Sequence, residues 1–300
     1  DGRVMVRTRE GSESGGHIVL GRGGGSGTLT IGDGGGAPHV ETEQLEVQRP
    51  GDVLRIRSGV VDVTDAAFLL GGTTEVLGSG QLRAAELELG SDATLTVDTS
   101  GPDTALVAGE LESAGTFNIR GGLVEVTAGT FVVEGTPEIT GNGQLETGWL
   151  DVSEGASVIV DTQVPGAAIT AGEIWNEGNL LVQGGLVDVS GTTILEGGAT
   201  AILDQGQLRT QRLEVGADAG LTVDTQGAGA AIAAGQLWSD GNLLVQGGVV
   251  DIEQEAFLQR GTTEILGAGE LRTGWLEVDD GAEVIVDTDN ADTGIVAGDF

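Results

Sequence analysis

Apolar and polar residues alternate along short segments throughout the chain. From Thr94 to Asp98, Leu95 and Val97 fall on one side while Thr94, Thr96 and Asp98 fall on the other. That period of two belongs to a strand rather than a helix. The segments SVIVDT, NLLVQG, TAILDQ and LTVDT share the pattern, with apolar runs ending at Val160, Val182, Leu203 and Val223, spaced 22, 21 and 20 residues apart. These four residues are expected to point inward and stack, with Asp161 and Asp224 facing solvent. Glycine fills the intervals, 55 in 300 residues. In a helix each would cost about 1 kcal/mol relative to alanine, whereas corners favour it.

A longer period of about 63 residues, of the kind that marks a repeat architecture, is laid over the short one. Gln81, Gln144, Gln207 and Glu270 open successive copies, and Val97, Val160, Val223 and Val286 each precede Asp-Thr. From residue 58 the register holds without insertion: SGVVDV at 58 aligns with GGLVEV at 121, GGLVDV at 184 and GGVVDI at 247. Each copy therefore reads as three structural steps of about 21 residues. Strands that recur at this spacing can each lie on their counterpart from the previous turn, parallel and about 4.8 Å away. The sequence thus predicts an all-β fold, a parallel β-solenoid of about 14 rungs. One rung could not stand alone, because ordering its backbone costs about 1–2 kcal/mol per residue and each inward side chain returns only about 1.5–3 kcal/mol. Stability has to come from stacking.

Runs such as LEVGADAGLTVDT and LEVDDGAEVIVDT resemble the β-helix passenger domains of bacterial autotransporter and filamentous-haemagglutinin-like surface proteins. The resemblance covers most of the chain. It implies a right-handed β-helix, an extracellular or cell-surface location, and a role as fibre, stalk or adhesin. Such a fold also hosts enzymes, so fold alone does not assign function.

Residues 1–57 break the register with glycine runs and read as degenerate first rungs or a cap. Residues 58–300 carry the regular repeats of one continuous elongated domain. Charge divides the chain at the same place: residues 1–57 hold seven arginines against eight acids, out of 13 basic and 47 acidic residues in the whole chain. A net charge of −34 makes nucleic acid an unfavourable partner and repels anionic membranes. It also keeps a repetitive β protein from aggregating. No apolar run is long enough for a membrane span. Cysteine is absent, which leaves the redox compartment open.

A carbohydrate-active enzyme on this fold would need carboxylates converging on adjacent rungs. Asp98, Asp161, Asp224 and Asp287 instead recur three rungs apart, about 14 Å, as repeat decoration. The expectation is therefore a non-enzymatic protein without a cofactor. Calcium could meet corner acids at Asp279 and Asp280 or at Asp287 and Asp289, but no calcium motif supports a site.

The tryptophans are the clearest surface signal. Trp149 and Trp275 align with Glu86 and Arg212, and Trp175 and Trp238 align with Glu112. A position that accepts Glu or Arg faces water, so all four are expected outside. Trp149 and Trp275 each travel with an outward isoleucine, Ile159 and Ile285, and these apolar residues on a charged surface are read as lateral contacts, with other surface proteins or glycans as candidate partners. A second contact is expected end to end between copies of the chain. The strand of Arg3, Val4, Met5, Val6 and Arg7 would cover the rung that carries Asp299 and Phe300, giving a head-to-tail filament.

Overall fold

The computed structural model describes residues 16–21, 25–32, 37–100, 104–163, 166–227, 229–288 and 294–299. They form an all-β parallel β-solenoid of about 12 turns, with no helix among the described residues. The count is slightly below the expected 14, and the ladder step from Ile31 to Ile56 is longer than the regular steps that follow it. The chain divides into two compact units, Asp1–Gly148 and Trp149–Phe300. The change of register at residue 57 falls inside the first.

In the first unit, four short strands, His17–Leu20, Thr28–Ile31, His39–Thr42 and Gln44–Val47, stack in parallel on each other or on Val53–Thr99. The interior ladder is Ile31, Ile56, Val76, Val97, Ile119 and Ile139, all buried. Val97 pairs in register with Ile119.

In the second unit the ladder runs Val160, Val182, Ile202, Val223, Val245 through successive register pairs, and each of these side chains is fully enclosed. Asp161 and Asp224 face solvent as expected. Leu203 does not belong to the ladder. It is half-buried, pairs with Asp224, and leaves the interior place to Ile202. Three consecutive apolar residues, Ala201-Ile202-Leu203, fit either register by pattern alone, and the turn decides between them. Asp204 takes φ 52°, in a position where the other copies carry Gly78, Gly141 and Gly267 at φ 61°, 58° and 58°. Asp is among the few side chains that tolerate this left-handed region. Asp204→Gly should therefore raise stability by about 0.5–1 kcal/mol, the relief of left-handed strain less the added chain entropy, as read from urea unfolding. A loss of stability would contradict this account of the turn.

The Asp-Thr ending of the ladder strand fixes the next corner. Thr99, Thr162 and Thr225 are buried, and each lies beneath a glycine of the following turn, Gly122, Gly185 and Gly248, at φ 83°, 82° and 83°. A Cβ on any of these glycines would come within 2.0 Å of the threonine Oγ1. The paired Val-Asp-Thr and Gly-Gly motifs are thus one corner seen on two turns.

Candidate functional site

A second corner sets the outer face. In Gln144–Val152 the inward residues are Leu145, Thr147, Leu150 and Val152, while Gly148 and Trp149 are consecutively exposed. The chain bends between Thr147 and Leu150, so Trp149 and Asp151 open a new outward strand face. The same bend recurs in each of the next two copies. There the corner threonine donates its hydroxyl to the carbonyl two residues ahead, Thr210 to Arg212 at 3.0 Å and Thr273 to Trp275 at 2.7 Å. This bond anchors the backbone of the residue at the start of the face.

Two adjacent outward columns follow. In the second unit one column reads Trp175, Ile194, Glu214, Trp238, Phe257 through register pairs on successive turns. Beside it run Thr192, Arg212, Gln236 and Glu255. In the first unit the corresponding residues are Glu88, Glu112 and Phe131, with Glu86 and Glu110 alongside. Phe68 and Phe131 flank these four glutamates in one groove of about 230 Å³. Seven of the nine aromatic residues of the chain occupy these outward positions, among them all four tryptophans. Of the other two, Phe117 is in the core and Phe300 lies outside the described residues.

Trp149, Trp175 and Trp275 are 41%, 47% and 41% exposed. Trp238 also faces outward but is half-buried. Its ring lies 4.5 Å from that of Phe257 at an interplanar angle of 40°, and the Arg212 guanidinium sits over it at 4.8 Å. Arg212 Nε is 2.7 Å from Glu214 Oε1, a charge contact rather than an aligned hydrogen bond. Here a tryptophan, an arginine and a glutamate form one closed stack.

One copy earlier Trp149 stands at the repeat position of Arg212. Trp149, Asp151, Glu173 and Trp175 line a cleft of about 250 Å³. Burial, reinforced by the charge of Glu177, pushes the Asp151 carboxyl above its ordinary pKa. The site therefore holds negative charge at some cost and would be relieved by a cation. A larger cleft of the second unit, about 890 Å³, is lined mainly by polar groups such as Ser190, Gln211 and Gln254, and two of its residues, Arg209 and Asp188, are already paired at 3.4 Å. It has no aromatic wall.

Neither Ile159 nor Ile285 lines the cleft between Trp149 and Trp175. Ile159 is half-buried on the strand Ser157–Thr162, beyond the turn at 153–156, and pairs with Leu181. Ile285 is 38% exposed. Sequence alternation does not reveal the remaining members, Phe68, Phe131, Ile194 and Phe257, which hold one place in four successive copies. Each neighbours an inward apolar residue, Leu69, Val132, Leu195 or Leu258, so the alternation that would mark it as outward is hidden.

The end-to-end candidates Arg3, Val4, Met5, Val6, Arg7 and Phe300 lie outside the described residues. Asp299 is placed through its backbone, in register with Trp275. Among the described residues no group of three or more His, Asp or Glu is arranged to hold a metal ion. Asp279, Asp280 and Asp287 are solvent-exposed, and Asp289 is outside the described set.

No protein-family model matches the chain, and no curated protein or solved structure matches it. The structure shows a parallel β-solenoid, and these comparisons do not link the chain to autotransporter or haemagglutinin-like proteins.

Proposed function

We propose that the chain is a non-enzymatic contact scaffold, an element of a fibre or stalk outside the cell or on its surface, with its lateral contacts made by the outward aromatic columns. The observation that supports this is that seven of nine aromatic side chains hold outward column positions within their own units. Exposed tryptophan is unfavourable in water, each aromatic side chain offering about 150–250 Å² for burial. The interior ladder uses aliphatic residues almost throughout, so the aromatics are not core overflow. Tryptophan is also among the residues that carry most binding energy at interfaces. The acidic residues between the aromatics keep the face soluble and limit its partners to those of complementary charge. The extracellular setting follows from the resemblance to surface β-helices, and fractionation of cells that make the protein tests it.

The double variant Trp149→Glu, Trp275→Glu tests the contact role. Its fold should persist, because Glu86 and Arg212 occupy the same repeat position. Lateral association or surface binding, measured by sedimentation and by binding to the native surface, should weaken at least about tenfold, the scale of a lost tryptophan anchor. Association equal to that of the parent protein would remove the contact role.

A further inference from the structure

We propose that the cleft between Trp149 and Trp175 receives an arginine guanidinium presented by a partner polypeptide, the same group that this chain supplies to itself one copy later. The inference rests on the reading of the outer face as a contact surface and names what that face binds.

Two copies of one site carry different residues at the same repeat positions. Stepping one copy along the chain converts Trp149, Asp151, Glu173 and Trp175 into Arg212, Glu214, Gln236 and Trp238. In the later copy the arginine side chain lies over the indole at 4.8 Å and sits against the glutamate at 2.7 Å, and together with the Phe257 ring 4.5 Å away it leaves Trp238 half-buried. In the earlier copy the indole that Arg212 would have covered, Trp175, is 47% exposed. The carboxylate of Asp151 stands where Glu214 stands, and a cleft of about 250 Å³ opens between them. The substitution of Trp149 for the arginine removes the internal cation and adds a second aromatic wall. Glu173 in place of Gln236 adds a second carboxylate. Two indoles and two carboxylates suit a guanidinium, which is planar, weakly hydrated, stacks on aromatic faces and pairs with carboxylates through its fork of N–H donors. An ammonium is a compact, strongly hydrated point charge and gains less from two flat walls. The net charge of −34 draws a basic partner toward this surface.

The test uses the full chain and a peptide, acetyl-Gly-Gly-Arg-Gly-Gly-amide, with its lysine and citrulline counterparts, while the four indole N–H signals are followed by two-dimensional NMR. The arginine peptide should shift the Trp149 and Trp175 signals saturably and leave Trp238 unmoved. The lysine peptide should bind several-fold more weakly, and the uncharged citrulline peptide not at all. Trp149→Arg, which rebuilds the self-filled stack, should abolish binding. Arg212→Ala, which empties that stack, should make Trp238 respond as well. No shift, equal shifts with lysine or citrulline, or full binding by Trp149→Arg would overturn the proposal. If the peptide fails while the Trp149→Glu, Trp275→Glu variant still loses lateral association, the guanidinium assignment falls and the contact surface stands. If that double variant also associates normally, both fall.

Discussion

Val223→Asp should unfold the turns around it. Val223 is fully enclosed between Ile202 and Val245, and among the described residues no basic side chain is buried to pair with a carboxylate there. An unpaired buried charge costs about 3–5 kcal/mol or is protonated at comparable expense. Because each turn is supported only by its neighbours, the damage should spread along the ladder rather than stay at one side chain. Hydrogen exchange should show lost amide protection in the strands Ala199–Asp204 and Gly220–Thr225 and in the first residues of Asn242–Thr288. Leu203→Asp is the matched control. One residue from Ile202 but on the outer side, it should cost less than about 1 kcal/mol, as surface changes do. Equal damage from the two variants would mean that the interior has been assigned to the wrong register.

Gly185→Ala should destabilise strongly for a single methyl group. At φ 82° any L side chain carries left-handed strain of about 1–2 kcal/mol. The new Cβ would also meet Thr162 Oγ1 at 2.0 Å, and overpacking of this kind adds about 1–3 kcal/mol. The two causes separate in a double-mutant cycle. Thr162→Ala removes a buried hydroxyl that has no hydrogen-bond partner, so it should cost little alone. With Oγ1 gone, the nearest threonine-derived atom is Cβ at 3.3 Å, which requires only a small adjustment. Gly185→Ala should then cost about 1–2 kcal/mol, leaving a coupling of similar size between the sites. Additive effects would show that Thr162 and Gly185 do not share a corner.

The fold was legible because both of its periods are written in residue identity. The two-residue alternation in Leu95 and Val97 gave the strand, and the even spacing of Val97, Val160, Val223 and Val286 gave the stacking. Alternation failed where apolar residues are adjacent. In Ala201-Ile202-Leu203 it chose the wrong neighbour, and the left-handed turn at Asp204 settled the register. The spacing Gly78, Gly141, Asp204, Gly267 carries that information, but only once the residue type is read as a backbone conformation. The outer face was half legible. Exchange of Trp149 with Glu86 and Arg212 identified an outward position, whereas Phe68, Phe131 and Phe257 were masked by the inward leucines and valine beside them. The guanidinium over Trp238 was not legible, since Arg212 and Trp238 are distant in sequence and meet only when one turn lies on the next. Val286 holds the ladder position of Val223 yet is 49% exposed, as no described strand stacks beyond it.

The outer aromatic columns should be covered when the protein is at work. Hydroxyl-radical footprinting of the purified chain and of the chain in its native assembly measures this at each ring. Trp149 and Trp175, 41% and 47% exposed, should be oxidised readily in the purified chain and protected several-fold in the assembly. Trp238, already covered by Arg212, should react slowly in both. Equal oxidation of Trp149 and Trp175 in the two states would contradict the account.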